Sequence, residues 1–137
     1  MSRVRIQMPE SYVFETFRTL RVSDLNYGNH LGLDHLLALI HDVRFEYMGL
    51  EVGIENTFIT IVDAQVSLLG EGLHGDRLKF SMRFGNFKRS LCALYCKVEK
   101  QTKDELLAHV KTHLVFRCMQ TRKPCAIPRS FLDKFSF

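Results

Sequence analysis

Asp24, Asn26, Gly28, Asn29, His30 and Gly32 fall within nine residues, immediately ahead of an apolar-striped segment that runs to Arg44 and beyond. Free backbone N–H groups and the positive dipole end at the start of a helix stabilise negative charge, so this turn reads as a place where a developing anion could be held. Asp24 and Asn26 are two apart and share a face in extended backbone, which joins a carboxylate to an amide. Asn26 cannot act as a base, but it can orient water or a carbonyl oxygen. His30, with an ordinary pKa near neutrality, could act as general acid or base or simply anchor the turn. Gly28 and Gly32 would let a ligand approach the backbone closely, or would serve only the turn geometry.

Other polar groups are less suited to chemistry. Asp42 and Arg44, two apart on a helix, diverge; Arg44 reads as a brace and Asp42 as a reserve carboxylate. His35 and His41 project from the same helix, while His109 and His113 share a strand parity too widely spaced for a metal site. Cys92, Cys96, Cys118 and Cys125 form no C-x-x-C and read as reduced, mostly buried thiols. No metal is expected. The basic pairs Lys88-Arg89 and Arg122-Lys123 stand out in a chain of net charge +4, but no basic helix stripe or aromatic ladder accompanies them. That disfavours nucleic acid and leaves a phosphorylated small molecule, with Lys88, Arg89 and Ser90 as the contact or as a solvated hairpin tip.

These residues need a scaffold. A length of 137 residues with 46% hydrophobic residues suits one domain, residues 1–137, with its own core. No signal peptide or membrane-spanning run is visible, so a cytoplasmic protein with no membrane partner is expected. Alternating residues predict strands over 15–22, 77–85 and 90–99, a β-branched and apolar run predicts one over 57–69, and a further strand is expected over 106–117, with turns at 70–75 and 100–105, at spacings that suit antiparallel hairpins. Leu33, Leu36, Leu37, Ile40, Val43, Tyr47 and Met48 recur at helical spacing, ended by Gly49. Pro128 is expected at the first position of a short terminal helix reaching Phe135. One helix must then cover one face of a five-stranded sheet, an α+β arrangement whose open edge a second copy could satisfy. A homodimer or homotetramer is expected.

This layout, from Tyr12 to Phe131, resembles the hotdog fold, in which a long helix is wrapped by an antiparallel sheet. In particular it is similar to the 4-hydroxybenzoyl-CoA thioesterase family and to plant acyl-carrier-protein thioesterases. Their D-x-D-x-x-x-H-V-N-N turn is matched by Asp24, Asn26, His30 and Leu31, with Gly32-Leu33 in place of the final pair. Asp42-Val43-Arg44 stands at the offset of their E-x-R, and Asn86 to Leu91 resembles their G-R-S-S turn. The later segments Val110 to Cys118 and Arg122 to Pro128 resemble their last strand and ending.

The resemblance implies hydrolysis of an acyl-CoA thioester without a cofactor, coenzyme A being part of the substrate. It places Asp24, Asn26 and His30 in catalysis, with Gly28, Leu31, Gly32, Lys88, Arg89 and Ser90 on the substrate. Asn26 departs from the usual second Asp, which leaves Asp24 to activate water and keeps open a non-catalytic acyl-CoA-binding sensor or scaffold. A dehydratase is a third reading, though its His-containing signature is absent. The acyl group, and the choice between coenzyme A and acyl-carrier protein, stay open.

Overall fold

The computed structural model describes residues 4–49, 54–102 and 105–136. Five strands, β1 (Phe14–Thr19), β2 (Thr57–Leu68), β3 (Arg77–Gly85), β4 (Leu91–Lys100) and β5 (Glu105–Cys118), form one antiparallel sheet in the order β1-β3-β4-β5-β2. Helix α1 (Leu33–Met48) and a short α2 (Arg129–Phe135) complete the architecture. It is the α+β hotdog arrangement expected from the chain. Residues 103 and 104, within the expected polar turn before β5, lie outside the described residues.

The core follows from two periodicities. Leu36, Ile40 and Val43 from α1 are buried, as are Leu78, Phe80, Met82 and Phe84, alternate residues of β3. The register sets Phe80 against Val98, Met82 against Cys96, and Cys96 against Val110, so adjacent strands turn their apolar faces the same way. At the far end of α1, Tyr47 stacks between Phe14 and Phe84 at centroid distances of 4.9 and 5.0 Å, and Phe131 and Phe135 of α2 close over them. Gly49 ends α1 with φ of +82°, a conformation that glycine adopts without a Cβ penalty.

Several expectations shift. β1 stops at Thr19 instead of Val22: the chain folds into a 3-10 turn over Val22–Asp24, leaving Val22 70% exposed. Leu33 belongs to the apolar stripe by spacing, yet it is 48% exposed because it opens the helix beyond the edge of the core. β3–β4 and β4–β5 are hairpins, but the 70–75 turn does not close one. It carries the chain from β2 at one edge across to β3. Pro128 is the N-cap of α2, not its first helical residue. All four cysteines are free; Cys92 and Cys96 are buried, with the Cys92 thiol pushed up to about 12 by burial, whereas Cys118 and Cys125 are half-buried.

The aromatic cluster makes α2 part of the core. Phe131→Ala should cost about 3–5 kcal/mol, read as a lower urea midpoint with an unchanged slope. Arg129→Ala, an exposed change at the same helix, should move the midpoint little.

Candidate active site

The sequence directs the chain into α1 through a short series of local bonds. Asp24 ends the 3-10 turn and folds back on Arg21, accepting its backbone N–H on Oδ2 at 2.8 Å and its guanidinium at 3.3 Å on each oxygen. Asn26 then organises the loop. Its side-chain Oδ1 accepts the Gly28 N–H (2.9 Å), its carbonyl accepts the Asn29 N–H (3.0 Å), and its own N–H donates to the His30 carbonyl (2.9 Å). Asn29 takes the left-handed φ of +62° that closes the loop. Next, the Leu31 N–H donates to the Gly72 carbonyl at 2.7 Å, tying the loop to the 70–75 crossover.

Here α1 begins. Gly32 is its N-cap and carries no side chain to occupy the first-turn amides. A cleft of about 350 Å³ opens at this point, with Asn26, His30 and Glu71 as its polar lining, Gly32 at its base, and Leu33, Leu68 and Leu69 among its apolar walls. Neither Gly28 nor Gly32 has a left-handed φ, so turn geometry does not demand glycine at either position. Close approach does: a Cβ at Gly28 would stand 2.9 Å from His30 Nε2 and 3.3 Å from Asn26 Oδ1. A Cβ at Gly32 would stand 2.8 Å from Asp34 Oδ1 and 3.4 Å from Asn26 Nδ2. Asn26 and His30 therefore crowd over Gly28, and Asn26 and Asp34 crowd over Gly32.

Asp24 is placed differently from the residues expected beside it. It is 4% exposed, does not line the cleft, and has both oxygens engaged by Arg21. Burial raises its pKa, but the side-chain and backbone hydrogen bonds from Arg21, the guanidinium charge and nearby His35 outweigh it, so the carboxyl titrates below its ordinary value. Leu31 is largely buried while contributing to the cleft wall. Lys88, Arg89 and Ser90 are not brought to the cleft. They follow β3, nine residues and about 30 Å from the crossover that carries Glu71. The main-chain carbonyls of Arg89 and Ser90 accept the Ile127 and Phe116 N–H groups there.

The remaining polar candidates have other partners. Asp42, the reserve carboxylate, pairs with Arg18 at 3.1 Å, and Arg18 also reaches Glu46 at 2.6 Å. Arg44 is buried and donates to His41 Nδ1 at 2.9 Å. His113 Nδ1 lies 2.6 Å from Asp63 Oδ1 on the opposite strand. Among the described residues, no three His, Cys, Asp or Glu side chains group as metal ligands. No helix among them is long and apolar enough to cross a membrane. Glu71 escaped the sequence reading because the 70–75 segment appeared only as a turn; a lone acid between Gly70 and Gly72 was the available signal.

The model of the thioesterase-like superfamily matches residues 20–135 of the chain. A sequence comparison with curated proteins gives no match. Among solved structures, a Pseudomonas aeruginosa protein superposes with a TM-score of 0.83 at 16% identity, covering 94% of this chain and 93% of its own. A 1,4-dihydroxy-2-naphthoyl-CoA thioesterase from Synechocystis gives 0.80 at 16% identity, covering 88% and 93%. A Staphylococcus aureus protein in complex with CoA gives 0.78 at 17% identity, covering 93% and 85%.

The capping bonds of Asp24 have a thermodynamic signature. Because its folded pKa is depressed, it contributes stability that is present above the ordinary Asp value of about 3.9 and is lost as pH falls through the folded value. Asp24→Ala should cost about 1 kcal/mol at neutral pH and flatten the decline in thermal stability below about pH 4, as followed by circular dichroism.

Proposed function

The chain belongs to the thioesterase-like superfamily, and from that premise we propose that it hydrolyses acyl-CoA thioesters to the free acid and coenzyme A. The observation that carries this reading is the cleft at the uncapped start of α1, where free first-turn amides, the Asn26 amide, His30 and the Glu71 carboxylate converge. With the thioester carbonyl oxygen on the Asn26 Nδ2 side of Gly32, clear of Asp34 Oδ1, the helix amides and dipole would stabilise the oxyanion that forms when water adds to the carbonyl carbon. Collapse of that intermediate breaks the C–S bond, and the coenzyme A sulfur leaves and takes a proton.

Glu71, assisted by His30, is our candidate for removing the proton from the attacking water, and Asn26 orients that water or the carbonyl. Asp24 acts as a positioning residue: its carboxylate is engaged by Arg21, and it holds the turn from which Asn26 and His30 project. Glu71→Gln should lower kcat about 100-fold or more on a panel of acyl-CoAs, whereas Asp24→Asn should retain most of the turnover. If Asp24→Asn abolishes thiol release while its melting curve stays intact, Asp24 is the base and Glu71 is not.

A homodimer joined along the open β2 edge is part of the proposal. Ile61 and Val62 are exposed on that strand, which has β5 on only one side. β2 starts near the end of the sheet where Lys88, Arg89 and Ser90 lie and finishes at the cleft. Antiparallel pairing of two copies would therefore set those residues of one copy toward the cleft of the other, where they could meet coenzyme A phosphates. In this reading the enzyme works in the cytoplasm. Coenzyme A is preferred over a carrier protein because the basic pair Lys88-Arg89 suits its several phosphates. Lys88→Ala with Arg89→Ala should raise KM for acyl-CoA about tenfold with little change in kcat, as expected for lost phosphate contacts. An unchanged KM would remove these residues from the substrate site.

Asn26 in place of a carboxylate favours a second reading, a non-catalytic acyl-CoA-binding protein. Tight binding of acyl-CoA with no thiol released over a long incubation would select it.

A further inference from the structure

The cleft does not end at the catalytic residues. A second cavity, open to the surface and of about 420 Å³, is lined by Val4, Leu33, Val66, Ser67 and Leu68, and it shares Leu33 and Leu68 with the cleft. The two spaces therefore adjoin at the first helical residue and the last residue of β2. Their linings differ in kind. The first presents an amide, an imidazole and a carboxylate; the second presents valine and leucine walls with one hydroxyl-bearing residue, Ser67. Among the described residues that line it there is no aromatic ring on which an aryl group could stack and no charged side chain to meet an ionised or strongly polar tail. Val4 and Leu33 are exposed although they are large and apolar, and neither core packing nor pairing along β2 accounts for that exposure.

We propose that this second cavity is the acyl site, and that it selects an aliphatic acyl chain over an aromatic one. The inference rests on the thioesterase reading for the identity of the thioester, but the cavity itself can be tested separately. With the carbonyl carbon at Gly32, the chain attached to it leaves the polar cleft between Leu33 and Leu68 and lies along Val66. Burying each methylene there removes apolar surface from water, and that gain is realised by an alkyl tail. Val66 is the residue that sets the depth. It lines the second cavity without lining the first, and it packs on the core behind.

Two measurements on the full chain decide the matter. In thiol-release assays with acetyl-, octanoyl- and benzoyl-CoA, octanoyl-CoA should have the highest kcat/KM, with benzoyl-CoA at least about tenfold lower. Val66→Phe, which fills the cavity, should lower the octanoyl-to-acetyl ratio about tenfold, and Val66→Ala should raise the ratio for chains longer than octanoyl. Faster turnover of benzoyl-CoA by the unmodified protein, or an unchanged chain-length profile in Val66→Phe with its melting curve retained, overturns the assignment. If Val66→Phe fails to fold, Val4→Trp supplies the blockade from another residue that lines the second cavity and not the first.

The second measurement is calorimetric binding of octanoyl-CoA against coenzyme A itself. Tighter binding of the acylated ligand, lost in Val66→Phe, supports the cavity even if no substrate is hydrolysed, an outcome that would refute the thioesterase reading alone. Equal binding of the two ligands refutes the acyl site whatever the activity.

Discussion

The mouth of the cleft depends on the bond between the Leu31 N–H and the Gly72 carbonyl, 2.7 Å long, which pins the loop before α1 to the crossover between β2 and β3. The contact is possible because residue 72 has no side chain. A Cβ there would stand 2.8 Å from Leu20 Cδ1 and 3.1 Å from Leu31 Cβ, inside packing that has no slack. Leu20 and Leu31 are both buried, so the loop cannot yield without opening the core. This close approach sets Glu71 beside the start of α1 and makes one wall of the cleft out of a segment 40 residues distant from the other.

Around that contact, stability and function make opposite demands on the helix start. Gly32 as N-cap forgoes the side-chain oxygen that Ser, Thr, Asn or Asp would supply, and such a cap is worth about 1 kcal/mol. Capping is instead found eight residues earlier, in the 3-10 turn where Asp24 folds onto Arg21. The protein thus braces the approach to the helix and leaves the helix start itself without a side-chain cap. Asn26 contributes to both: its backbone and Oδ1 hold the loop, while its Nδ2 lies over Gly32. An Asp at that position could accept the Gly28 N–H in the same way but would have no amide nitrogen to present there.

The length and type of most elements were legible in the chain. The clean alternation from Leu78 to Phe84 marked β3, and the helical recurrence from Leu36 to Met48, with Gly49 after it, marked α1. The end of β1 was less legible, since Leu20 and Val22 continue the strand parity and only the cap from Asp24 to Arg21 reveals the turn. Leu33 misled for a similar reason. Its spacing puts it on the apolar stripe, but burial depends on whether the sheet reaches that far, which periodicity does not record.

By itself the sequence determined the fold class and the place where a charge-stabilising helix start would stand, because both follow from local periodicity and from polar residues adjacent in the chain. Only the tertiary structure decided which side chains share that place. Asp24 and Asn26, two apart in sequence, separate because a 3-10 turn intervenes and Arg21 claims the carboxylate. Glu71, distant in sequence, arrives through the crossover that carries β2 at one edge to β3 near the other. Lys88 and Arg89 stay at the far end because β3 is extended over its full length. Which groups meet is set by strand order and by where a backbone lacks a side chain, and these are properties of the packed sheet.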